Sequence, residues 1–219
     1  MADFETLDIF GYRGERVPNR FYHQAGETRH LALVFPGYRY GLDLPLLYYP
    51  TQLLRARGAD VLGLDLAYSR DRRYVSAADP EKSEWLDADT RAACAVAMAQ
   101  REYNRFTLIG KSLGTLAVGC LVETEPRLKE AHCIWLTPIL NNERLQSQMA
   151  QAPQRGLVVV GTTDPYYQEE ILDRLEQATR NPSLVIPNAD HSLEIPGKIS
   201  ESIRILQTVM DAIDVFLNV

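Results

Sequence analysis

Phe106-Thr107-Leu108-Ile109-Gly110-Lys111-Ser112-Leu113-Gly114 decides the reading of this chain. An apolar run of strand character stops at Gly110. Ser112 stands between Gly110 and Gly114, and an apolar, helix-like segment follows over 115–122. Strand, sharp turn and helix in that order are the setting in which G-x-S-x-G forms a nucleophile elbow. Such a turn strains the serine backbone, and a side chain at either flanking glycine would strike the neighbouring strand or helix. It lifts the serine oxygen above the sheet edge and aims the first N–H groups of the new helix at whatever the serine attacks. Gly110-Lys111-Ser112 also matches the end of a phosphate-binding loop. That motif needs a further glycine five residues before the Gly-Lys pair. Arg105 stands there, and 106–109 is apolar strand rather than loop, so nucleotide binding is set aside.

Working outward, short apolar runs at 31–35, 60–66, 132–137, 157–161 and 183–186 alternate with helical patterns at 44–57, 88–103, 167–178 and 198–217. The last helix sets Ile199, Ile203, Leu206, Met210, Ile213 and Leu217 on one face. Segments 4–10 and 16–24 read as an antiparallel hairpin around Gly11 and Gly14. The alternation predicts an α/β protein: a mostly parallel, doubly wound sheet of about seven or eight strands with helices on both faces. Residues 1–219 are expected to form one domain without a separate cap. The stretch 67–87, with Arg70, Arg72, Arg73, Tyr74 and Trp85, reads as a long irregular loop.

Composition narrows the function. The 219 residues carry a net charge of −6, which argues against nucleic-acid binding. No apolar stretch reaches membrane-spanning length. The N-terminal residues lack a basic-then-apolar signal, and Cys94, Cys120 and Cys133 are scattered through apolar segments without C-x-x-C spacing. Reduced, buried thiols, a cytoplasmic location, and no metal or cofactor are expected.

A serine alcohol needs a base, and the base needs an acid to hold its orientation. In parallel sheets chemistry gathers at the carboxyl ends of the strands. Of the four histidines, His23 lies in the hairpin, while His30 and His132 open strands at the opposite edge. His191, after the last strand, is the candidate base. Asp164, in the turn that follows 157–161, is the candidate acid. Asp190 is its competitor, and adjacent residues in an extended loop point apart. Asp65 reads as structural. Two N–H groups are expected to hold an oxyanion, that of Leu113 and that of Tyr38, with Arg39 the alternative to Tyr38. Arg39, Tyr40 and Tyr166 are candidate substrate-binding residues. Tyrosines around the site suit an apolar acyl or alcohol group, and Arg39 with the arginines near 72 suits an acidic one.

This order of loop, serine, acid and histidine resembles the α/β-hydrolase family over nearly the whole chain. Phe35-Pro36-Gly37-Tyr38 looks like the family's His-Gly-X oxyanion loop, with phenylalanine and proline in the lead-in. Residues 63–69 look like the loop after its next strand, without the common glycines. Gly161-Thr162-Thr163-Asp164-Pro165 is similar to its acid turn, and Asn188-Ala189-Asp190-His191-Ser192 to its histidine loop. The short insertions resemble the small capless members, among them dienelactone-hydrolase-like esterases. The resemblance implies a serine hydrolase of small-molecule esters, thioesters or lactones, monomeric or homodimeric. The rival is a binding or scaffold protein that keeps the fold without catalysis.

Overall fold

The structure, a computed structural model, describes residues 4–218. Seven strands form one sheet in the order β1-β3-β2-β4-β5-β6-β7. They are β1 (Asn19–Tyr22), β2 (His30–Phe35), β3 (Asp60–Leu64), β4 (Arg105–Lys111), β5 (His132–Leu136), β6 (Arg155–Gly161) and β7 (Ser183–Ile186). All neighbours run parallel except β1, which pairs antiparallel with β3.

Side chains alternate across each strand, so the sheet has two apolar faces. Ala32, Val34, Ile109 and Val159 pack against α1 (Pro45–Ala56) and α7 (Ile199–Leu217). Leu31, Leu33, Phe35, Leu108 and Val158 face α3 (Asp79–Met98), α4 (Leu113–Thr124), α5 (Glu143–Gln151) and α6 (Glu169–Thr179). The apolar face of α7 holds from Leu206 onward. Ile199 and Ile203, on its first turns, are 72% and 62% exposed and flank a shallow apolar groove with Tyr40 and Leu46. Among the described residues no helix is long and apolar enough to cross a membrane.

The strand order positions the site. From β2 the chain moves outward to β3, then crosses back to β4 on the other side of β2. Two loops therefore part company above the adjacent carboxyl ends of β2 and β4, where Phe35 pairs with Gly110. That reversal leaves an open crevice.

Two expectations need correction. The stretch 67–87 is not one long loop. It contains α2 (Arg72–Ser76) and the beginning of α3, which starts at Asp79 rather than near 88 and ends at Met98. Asp79-Pro80-Glu81 supplies the start: proline fits the first turn, and acidic side chains favour the positive end of the helix. Trp85, Leu86, Asp89 and Thr90 then give it a buried face. The N-terminal hairpin is also looser than predicted. Its arms meet through two isolated antiparallel bridges, Glu5 with Phe21 and Phe10 with Arg16, around a turn at Tyr12–Gly14. The second arm bonds β3 along one edge; along the other, Phe21 exchanges two backbone bonds with Glu5, and the Asn19 side chain, accepting the Leu7 N–H and donating to the Leu7 carbonyl, replaces the next ladder pair.

Candidate active site

Ser112 follows the last residue of β4 and caps α4 with φ 53° and ψ −116°. For a residue with a side chain this conformation is strained, of order 1–3 kcal/mol. Its N–H donates to the Leu136 carbonyl at 2.9 Å, which anchors the turn to β5. The flanking glycines are sterically required. A Cβ on Gly110 would stand 2.4 Å from the Gly114 carbonyl oxygen, and one on Gly114 would stand 2.1 Å from that of Phe35.

Two later strand ends bring the partners. The Ser112 hydroxyl lies 2.8 Å from His191 Nε2. His191 Nδ1 lies 2.8 Å from Asp164 Oδ2. The Asp164 carboxylate is fully buried, and its other oxygen accepts the Tyr166 N–H at 2.8 Å. The β6 terminus presses directly on the histidine loop: the Thr163 hydroxyl and N–H both donate to the Ala189 carbonyl, at 2.8 and 3.0 Å. Asp190 is occupied elsewhere. Its Oδ1 accepts the N–H groups of Ser192 and Glu194 and so shapes the loop that carries the imidazole. Asp65 is held by Arg20 at 2.7 Å.

The loop after β2 lies against the elbow through Phe35 and Gly37. Among the described residues, no protein acceptor takes the N–H of Tyr38 or of Leu113. Both are free to donate outward, the second from the positive end of α4.

The other predicted residues fall in different places. Tyr166 sets its ring edge-on to His191, with centroids 5.2 Å apart. Arg39 is exposed, its guanidinium 6.0 Å from the Tyr38 ring. It borders a cleft of about 700 Å³ that Tyr38, Ser69 and Arg70 also line. Tyr40 is committed to the protein: its hydroxyl accepts the Leu46 N–H at the start of α1, and burial pushes its pKa up to about 12. Arg73 pairs with Glu15 and Asp71.

Sequence reasoning missed Lys111, which it met only as part of a rejected phosphate motif. The side chain is 2% exposed, and Nζ donates to the His191 carbonyl at 2.9 Å. Burial lowers its pKa to about 8, against the opposing pull of Asp164 and Asp190. The available signal was a charged residue closing an otherwise apolar strand.

A doubly wound sheet with a strained serine turn at its reversal point, and histidine and aspartate loops beside it, defines the hydrolase class of α/β folds. The family model for the alpha/beta hydrolase domain matches residues 40–218, and the chain belongs to that family. Solved structures agree on the fold. A putative alpha/beta hydrolase of unknown function from Agrobacterium tumefaciens superposes with TM-score 0.76 at 17% identity, covering 98% of this chain and 97% of that one. Est1E from Butyrivibrio proteoclasticus, solved with ferulic acid bound, gives 0.71 at 13% identity, with 95% and 97% covered. A serine hydrolase without a lid from Xanthomonas campestris gives 0.67 at 16%, with 100% and 95% covered. No curated protein matches the sequence.

Proposed function

We propose that this chain is a serine hydrolase that cleaves carboxylic esters, or related thioesters and lactones, through an acyl-enzyme. The observation that carries the reading is the unbroken chain from Ser112 Oγ through His191 to Asp164, beside two uncommitted N–H groups. His191 Nε2 takes the Ser112 proton as Oγ attacks the carbonyl carbon. Asp164 holds Nδ1–H and stabilises the imidazolium. The N–H groups of Leu113 and Tyr38 receive the developing oxyanion. His191 then gives its proton to the leaving oxygen. Water, activated by the same nitrogen, releases the acid and frees the serine.

Arg39 and Arg70 border the cleft beside the oxyanion loop, and neither has a carboxylate partner among the described residues. That supports esters carrying a negative group, with Tyr166 flanking the reacting centre. Equal kcat/KM for matched neutral and anionic esters would remove the charge preference.

A fluorophosphonate probe tests the central reading. Wild type is expected to label at one site and Ser112→Ala not at all. A folded wild type that does not label would favour the non-catalytic scaffold.

A further inference from the structure

The elbow keeps a lysine where its charge is hardest to hold. Lys111 Nζ donates to the His191 carbonyl at 2.9 Å and lies 4.9 Å from the centre of the Tyr40 ring. The backbone of the oxyanion loop closes over the same side chain, since a Cβ on Gly37 would come within 3.3 Å of Lys111 Cδ. One side chain thus touches the nucleophile strand, the oxyanion loop and the histidine loop. Among the described residues no carboxylate lies within ion-pair distance of it, and the field of Asp164 and Asp190 reaches it from further away.

A buried ammonium without a paired anion is unfavourable, and a hydrocarbon chain would fill the same space at lower cost. Packing therefore does not account for this residue. Its hydrogen bond does. The histidine loop is strained, with Asn188 at φ 60° and buried Leu193 at φ 58° bracketing His191. Without a clamp on its carbonyl, such a loop relaxes away from the geometry that sets the imidazole between Ser112 and Asp164.

We infer that Lys111 is the positioning residue for the base: its ammonium clamps the His191 carbonyl and so sets where the imidazole stands. The inference rests on the reading of Ser112, His191 and Asp164 as the reacting set. The groups that face Lys111 are Tyr40 from the oxyanion loop, Asp164 after β6, and Asp190 and His191 from the histidine loop. The clamp affects turnover rather than affinity.

Lys111→Met removes the ammonium at nearly constant volume. On a p-nitrophenyl ester, kcat is expected to fall about 10–100-fold, the cost of a small misplacement of a reacting group, with KM changed less than about threefold. The melting temperature should hold or rise. A kcat within about twofold of wild type overturns the proposal, as does a rise in KM as large as the fall in kcat. A readout on the wild type needs neither turnover nor the variant. Lys82, Lys111, Lys129 and Lys198 are the only lysines in the sequence, so the 13Cε signal of Lys111 can be assigned. It should show an inflection near pH 8, mirrored in the 13C signal of the His191 carbonyl, and the absence of that mirror overturns the clamp. Loss of fluorophosphonate labelling in wild type with that inflection present would instead sink the hydrolase reading alone.

Discussion

Two imidazole–hydroxyl pairs stand at opposite ends of β4. At its carboxyl end His191 Nε2 is 2.8 Å from the Ser112 hydroxyl, and at its amino end His30 Nε2 is 2.9 Å from the Thr107 hydroxyl. The distances do not separate them. The surroundings do. His191 has a buried carboxylate on its other nitrogen. His30 has none: burial, reinforced by the charges of Arg105, His132 and Arg57, lowers its pKa to about 4. Ser112 sits on a strained turn at a helix N-terminus, whereas Thr107 is fully buried within a regular strand. A histidine near a hydroxyl becomes a candidate base only through its second partner and through access at a strand end.

The largest expected effect breaks that difference. Asp164→Asn leaves His191 with a neutral partner and the wrong tautomer, and kcat should fall about 10⁴-fold, roughly 5 kcal/mol of barrier. Steady-state hydrolysis beside a thermal melt checks it. A folded variant that keeps a tenth of its activity would show that the carboxylate is not what separates the two pairs.

His30 comes next. The unfolded chain takes up a proton near pH 6.5, the folded chain only near 4, so between those values the unfolded state binds more protons. Stability due to this residue is whole above pH 6.5 and is lost as pH falls toward 4, by about 3 kcal/mol in all. Urea melts from pH 7 to 4 should show this slope. His30→Gln should flatten it without changing hydrolase activity at pH 8.

Lys111 carries a related cost of the opposite charge history. Its proton is lost at about 8 when folded and near 10.5 when unfolded. Wild-type stability should therefore rise with pH across that window, and Lys111→Met should lack the rise. At pH 7 the variant recovers about 3 kcal/mol of burial cost and gives back about 1–2 for the unpaired His191 carbonyl. A net gain of about 1–2 kcal/mol is expected from chemical denaturation. The smallest effect belongs to Thr107→Val, which removes one buried hydrogen bond: about 1 kcal/mol of stability, with activity unchanged within about twofold.

Much of this was legible because the strands punctuate themselves. Gly110, Gly161 and Pro187 each end an apolar run, and each is followed by a residue that the fold brings to the crevice. The meeting of Ser112, Asp164 and His191 followed from strand order alone. Lys111 was hidden because its role depends on a loop eighty residues away in the chain, a distance over which local pattern carries no information. Tyr40 lines the cleft, and nothing local reveals that its hydroxyl also caps α1. The beginning of α3 was readable in Asp79-Pro80-Glu81, and the run of charges around it obscured the signal. The first hairpin arm is no regular strand because the Asn19 side chain, rather than the backbone of the second arm, bonds Leu7.

The separation of Ser112 from His191 by 79 positions also has a temporal meaning. At about 5–20 residues per second, the ribosome needs roughly 4–16 s to add the histidine after the serine. Throughout that interval the elbow serine is an ordinary alcohol. On the proposed mechanism, that serine gains its base only after β7 and the loop behind it have been made and docked.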